Sequence, residues 1–116
     1  MQLYVGTSGY AYKEWKGSFY PSDLPAKRML NFYATRFRTV EINNTFYRMP
    51  TASRLESWAA EVANDFRFVL KAPQRITHVK RLADVDEEVG YLLDGARTLG
   101  ARLGPVLFQL PPSLKK

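Results

Sequence analysis

Glu41, Lys71, Ser8, Asn43 and Gln109 are the residues whose types and spacing could do chemistry together, because each lies in or just after an apolar segment that reads as a strand. A carboxylate and an ammonium on neighbouring strands would form a buried ion pair, or an acid/base couple tuned by mutual charge and desolvation. In the chemical reading Glu41 is the acid/base and Lys71 its charge partner or an anion holder, with Asn43 and Gln109 as orienting amides. The competing reading is structural: sheet interiors hold satisfied polar layers, and a buried carboxylate takes a cationic partner for solvation alone. Ser8 has no base beside it in the sequence, which counts against a nucleophile and leaves it a ligand contact. His78, the lone histidine, follows another strand at the same end. It would serve there as a ligand contact only with a general base's geometry.

The elements that must position these residues alternate strand and helix. Leu3 to Thr7 reads as the first strand, stopped by Ser8-Gly9, and an aromatic loop runs from Tyr10 to Pro21. A helix follows, capped by Ser22 or Asp23 with Pro25 in its first turn, and Met29, Leu30, Tyr33 and Phe37 fall at helical spacing. The second strand begins at Thr39, alternates through Val40, Glu41 and Ile42, and runs to Tyr47. Thr51 or Ser53 caps a second helix with Leu55, Trp58, Ala59 and Val62 on its apolar face. Phe66 to Leu70 is the third strand, and Gln74 to Arg81 a polar loop. A third helix spans Asp84 to Leu99, its acidic start suited to the positive end of the helix dipole. Gly100 and Gly104 punctuate its exit, and Val106 to Leu110 is the fourth strand. This order implies parallel strands with right-handed helical crossovers. With the more apolar set of each strand facing the helices, Ser8, Glu41, Asn43, Lys71 and Gln109 converge at the C-terminal strand ends, where α/β folds place ligands.

Composition narrows the chemistry. The chain has 116 residues, one domain at most, against about 250 for a closed α/β barrel. No apolar run reaches the roughly 20 residues of a membrane span, and Met1-Gln2-Leu3-Tyr4-Val5 lacks a signal-peptide layout, so the cytoplasm is the expected location. The absence of cysteine excludes a disulfide framework, a thiolate metal site and a cysteine nucleophile. A single histidine argues against a multi-histidine metal centre, and no motif names a cofactor. A net charge of +6 favours anionic partners, a small molecule or a nucleic acid, although the cations are scattered, as at Lys27, Arg36, Lys80, Arg97, Lys115 and Lys116. In the nucleic-acid alternative Tyr10, Tyr12, Trp15, Phe19 and Tyr20 would stack on bases, with Lys13 and Lys16 on phosphates. Packing is the expectation for Trp15 and Phe19, while Tyr10 and Tyr12 stay open to either role.

Several segments together resemble the YecE-like family, domain of unknown function 72: Val5-Gly6-Thr7-Ser8-Gly9-Tyr10, Trp15-Lys16-Gly17 with Phe19-Tyr20-Pro21, Val40-Glu41-Ile42-Asn43 with Thr45-Phe46-Tyr47, Lys71-Ala72-Pro73, Thr77-His78, and Leu103-Gly104-Pro105 through Ser113. The resemblance implies a TIM-type (β/α)8 barrel, of which residues 1–116 would form the N-terminal half, four strands and three helices. Family members look longer, with later segments that have no counterpart here. The family brings no settled activity. Fold-level analogy with sugar isomerases and endonucleases gives the expectation of a hydrolase or isomerase acting on a phosphorylated or sugar-like ligand. Half a barrel exposes two strand edges, so two copies are expected to close it as a homodimer. The remaining alternative is an inactive truncated half-barrel.

Overall fold

The computed structural model describes residues 3–114, in which strands β1 (Gly6–Ser8), β2 (Thr39–Ile42), β3 (Arg67–Lys71) and β4 (Leu103–Leu107) form one parallel sheet in the order β1-β2-β3-β4. Met1, Gln2, Lys115 and Lys116 lie outside the described residues. The α-helices are α1 (Met29–Tyr33), α2 (Asn44–Tyr47), α3 (Ala52–Ala60) and α4 (Asp86–Ala96), joined by short 3-10 turns and a π-helix, Arg75–Val79. No helix among the described residues is long and apolar enough to cross a membrane.

The alternation expected of the central strands is observed. Val40, Ile42, Phe68 and Leu70 are buried against α1, α3 and α4, while Glu41, Val69 and Lys71 are half-buried on the opposite face. Register pairs Val40 with Phe68 and Glu41 with Val69, so the two strands present matched faces.

One phenol joins β1 to this core. Tyr33, fully buried at the end of α1, accepts a hydrogen bond from Thr7 N at 2.8 Å and donates to Thr39 O at 2.9 Å. Its hydroxyl thus stands between a donor on β1 and an acceptor on β2. The close approach requires glycine at position 6, where a Cβ would lie 1.9 Å from Thr39 O.

Several boundaries differ from the sequence reading, each for a local reason. β1 begins at Gly6, because Gly6 is the first residue with a partner on β2; Leu3 and Val5, expected to pack on the helices, are exposed. The N-terminal cap of the first helix is neither Ser22 nor Asp23: Pro25 precedes a 3-10 turn, Ala26–Arg28, that leads into α1. Thr51 caps α3 as expected, accepting from Arg54 N. β2 ends at Ile42, and residues expected to extend it form α2. The expected polar loop is largely the π-helix. Asp84 has φ 55° and stands outside α4 with Arg81 (51°) and Leu82 (67°), a bend held by Lys80 Nζ on Asp84 O and the Glu88 carboxylate. Gly104 lies within β4 instead of before it. There the strand takes an extra residue between Leu103 and Val106 relative to Phe68 and Leu70, a bulge suited to Pro105, which has no N–H to donate. β4 runs from Leu103, opposite Phe68, to Leu107, opposite the last residue of β3, not from Val106 to Leu110.

Replacing Tyr33 by Phe keeps the ring but strips Thr7 N and Thr39 O of their shared partner. The expected loss is about 1–3 kcal/mol of unfolding free energy, measured by urea denaturation. An unchanged midpoint would refute the bridging role.

Candidate functional site

The C-terminal ends of β1 and β2 are tied together by backbone and side chains. Gly9 N donates to Glu41 O at 2.8 Å, and Ser8 Oγ donates to Glu41 Oε1 at 3.4 Å. Tyr12 Oη donates to Ser8 O, fixing the loop over this corner. A half-buried carboxylate holding a serine hydroxyl at a strand end can orient or accept a proton from a ligand hydroxyl.

Lys71 stands one turn of the pleat beyond Val69, the register partner of Glu41, and therefore on the same face. The expected ion pair with Glu41 is not formed. Among the described residues the ion pairs are Arg38–Asp65, Lys80–Glu88 and Arg97–Asp94. Lys71 Nζ instead sits 4.4 Å from the centre of the Phe46 ring, a cation–π contact. His78 meets the same ring at 5.0 Å and 89°, while its Nδ1 lies 2.8 Å from Thr77 Oγ1. Phe46 thus gathers two of the residues singled out in the sequence, Lys71 and His78.

What places Phe46 there is its neighbour. Thr45 is buried, and its hydroxyl donates to Ile42 O at 2.9 Å and Lys71 O at 2.6 Å, one proton serving the terminal carbonyls of β2 and β3. The hydroxyl stops both strands at one level and anchors α2 across their ends. Neither Thr45 nor Phe46 was identified as a site residue in the sequence. The available signal was a short Asn-Thr-Phe-Tyr run after a strand, where β propensity masked a helical turn.

Asn43 and Tyr10 come together elsewhere, on a cavity of about 250 Å³ between the β1 loop and the end of β2, which Arg54 and Trp58 also line. Burial raises the Tyr10 hydroxyl above the ordinary phenol range, opposed by the Arg54 guanidinium and a Trp58 hydrogen bond. Gln109 does not converge with these groups; it lies exposed beyond the end of β4. The rings of the aromatic loop pack on one another, with Tyr20 buried, Trp15 and Phe19 half-buried and Tyr12 exposed. Trp15 packs edge-on to Phe19 at 5.7 Å, Phe19 lies 4.9 Å from Tyr20, and Tyr20 is buried with its hydroxyl on Tyr10 O. These three rings fasten the loop and offer little face for stacking on bases. Among the described residues no three His, Cys, Asp or Glu gather as a metal site.

Known proteins share this arrangement of elements. The sequence profile of the family "Protein of unknown function DUF72" matches residues 4–116. The UPF0759 protein YecE of Escherichia coli K12 is 30% identical over 109 residues, covering 94% of this chain and 38% of that protein. The UPF0759 protein YunF of Bacillus subtilis is 28% identical, covering 95% and 40%. A DUF72 family protein of Thermotoga maritima, solved by crystallography, superposes with a TM-score of 0.82 at 34% identity over 97% of this chain and 46% of that one. One from Enterococcus faecalis gives a TM-score of 0.62 at 26% identity, over 72% of this chain and 33% of that one. The chain spans less than half the length of these relatives.

Tyr20 supplies a test of loop packing. Burial first, then the neighbouring Tyr33 and Tyr10, push its hydroxyl from 10.0 up to about 12. The folded state therefore favours the neutral phenol. Its contribution to stability is complete below the unfolded value near 10 and is lost as pH rises toward 12. Urea midpoints followed across that window should fall, and Tyr20→Phe should flatten the decline. An equally steep fall in the variant would assign the pH dependence to other groups.

Proposed function

This chain belongs to the DUF72 family, and we propose that it contributes the first half of a TIM-type (β/α)8 barrel whose strand-end rim binds a phosphorylated or sugar-like small molecule. Glu41 is the acid/base of that site, with Ser8 as its hydrogen-bonded partner, and Lys71 holds the anionic group. The observation that carries the reading is Lys71 itself. Its ammonium has no carboxylate partner among the described residues, yet it is positioned over Phe46 at the C-terminal edge of the sheet. A cation held without an internal counter-ion is ready to receive one from a ligand, and parallel α/β sheets bind ligands at this edge. His78 approaches the same ligand from the π-helix. Asn43 orients it from the β2 end, where Tyr10 shares its cavity. The reaction class is hydrolysis or isomerisation, each needing a carboxylate that exchanges a proton and a cation that stabilises negative charge.

The barrel reading is supported by the strand order. Four strands pair with their immediate successors, which leaves β1 and β4 as open edges. Closure comes from a further set of parallel strands, and for this chain alone a second copy related by a two-fold axis would supply it, β1 of each against β4 of the other.

Two measurements test these readings. Calorimetric titration with ribose 5-phosphate, glucose 6-phosphate and the free sugars should show preference for the phosphates, weakened about tenfold or more by Lys71→Met, the order expected when a charged hydrogen bond is removed. Glu41→Gln should spare phosphate affinity while abolishing turnover in a full-length relative carrying the change. Affinity indifferent to Lys71 would refute the site. Light scattering coupled to size exclusion should give a dimer mass, and a monomer that melts cooperatively would refute closure by a second copy.

A further inference from the structure

We propose a second anion site on the outer flank of the strand ends, built by Arg48 and Arg54 and shaped for a phosphomonoester that carries a flat ring. The two guanidiniums line a cavity of about 340 Å³ together with Asn44, Thr51, Tyr47 and Trp58. This volume is within the range of small-molecule sites. No Asp or Glu lines the cavity, and neither arginine enters an ion pair among the described residues. Two positive charges therefore face one concavity without internal compensation. An oxyanion entering it would relieve their mutual repulsion and receive donors in the planar fork that suits phosphate.

The aromatic walls give the second half of the ligand. Trp58 is 8% exposed and closes the interior side, whereas Tyr47 is 67% exposed and stands at the rim. The Arg54 guanidinium lies 5.9 Å from the Trp58 ring centre, so the cation is already oriented over an aromatic face. Large exposed tyrosines beside a charged cavity provide area for a flat group at little entropic cost. The amide of Asn44 and the rim of the helix cap add polar contacts for a ligand's hydroxyl groups.

All six side chains come from residues 44–58, the segment α2, its connection and the first turns of α3. The site is thus complete within this chain and does not depend on how the barrel closes. Asn44, Arg54 and Trp58 also border the cavity that holds Tyr10 and Asn43, but neither Lys71 nor Glu41 lines the cavity of the two arginines. A phosphomonoester could occupy either place, and the two arginines distinguish this one.

The test is a titration of the isotopically labelled full chain with phenyl phosphate and, separately, with inorganic phosphate, followed through backbone amides and tryptophan indole N–H signals by NMR. The expected result is saturable shifts concentrated in residues 44–58 and at the Trp58 indole, with phenyl phosphate binding at least tenfold tighter than inorganic phosphate. Arg54→Met and Arg48→Met should each weaken binding about tenfold, about 1.4 kcal/mol at 25 °C. Arg54→Lys should restore only part of the loss. Both arginines are exposed, so the variants should retain the parent's thermal midpoint, which confirms that weaker binding is not unfolding. Absence of saturation, shifts confined to the Lys71 edge, or affinity unchanged in the Arg48→Met/Arg54→Met double variant would each overturn the proposal. Equal affinity for the two phosphates would overturn its aromatic part.

Discussion

The hydroxyl of Tyr33 is the interaction on which the rest of the arrangement depends. β1 is three residues long and carries no buried apolar side chain, so packing alone cannot hold it in register. The phenol supplies what packing does not: a donor and an acceptor placed between two strands, on a ring locked by its neighbours Phe37 and Phe66. Glycine at position 6 permits the close approach to Thr39 O, and the two bonds of the phenol then set the register. That register brings Ser8 opposite Glu41, and the strand-end corner follows from it.

A second hydroxyl does comparable work one strand over. Thr45 ends β2 and β3 at one level by satisfying both terminal carbonyls, which would otherwise be buried beneath α2 without a partner. The turn it anchors delivers Phe46 to Lys71, so an aromatic face holds the ammonium where an ion pair was expected. This choice has an electrostatic meaning. A Glu41–Lys71 pair would have neutralised both groups, whereas their separation leaves a carboxylate and a cation each able to meet a ligand.

Much of the fold was legible because period-2 alternation depends only on the backbone. Val40, Ile42, Phe68 and Leu70 face the helices as their spacing implied, and the βα order gave the parallel sheet. Thr51 as a cap was equally readable, since its hydroxyl acts within its own turn. The errors arose where long-range contacts override local preference. Residues 43–47 have strand-like composition, but Thr45 is recruited by a carbonyl 26 positions away. Leu3 and Val5 look like core, yet the neighbouring strand starts too late to shelter them. β4 starts at Leu103, opposite Phe68, and ends at Leu107, the partner of the last residue of β3, so Gln109 lies beyond the sheet. Among candidate site residues, Ser8 with Glu41, Lys71 with His78, and Tyr10 with Asn43 are each brought together, in three places along one rim.

The sequential strand order has a consequence for how the chain acquires its shape. Each strand pairs with the next one in sequence, so no contact within the sheet has to wait for a segment made much later. As the chain emerges from a ribosome, β1 and β2 can dock through α1 before β3 exists, and each further unit adds to an edge already formed. Such assembly keeps loop closures short for a parallel sheet, which are otherwise slow to form. It also means that the growing edge is always the newest strand, so the exposed backbone most open to mispairing is renewed at every step until something covers it.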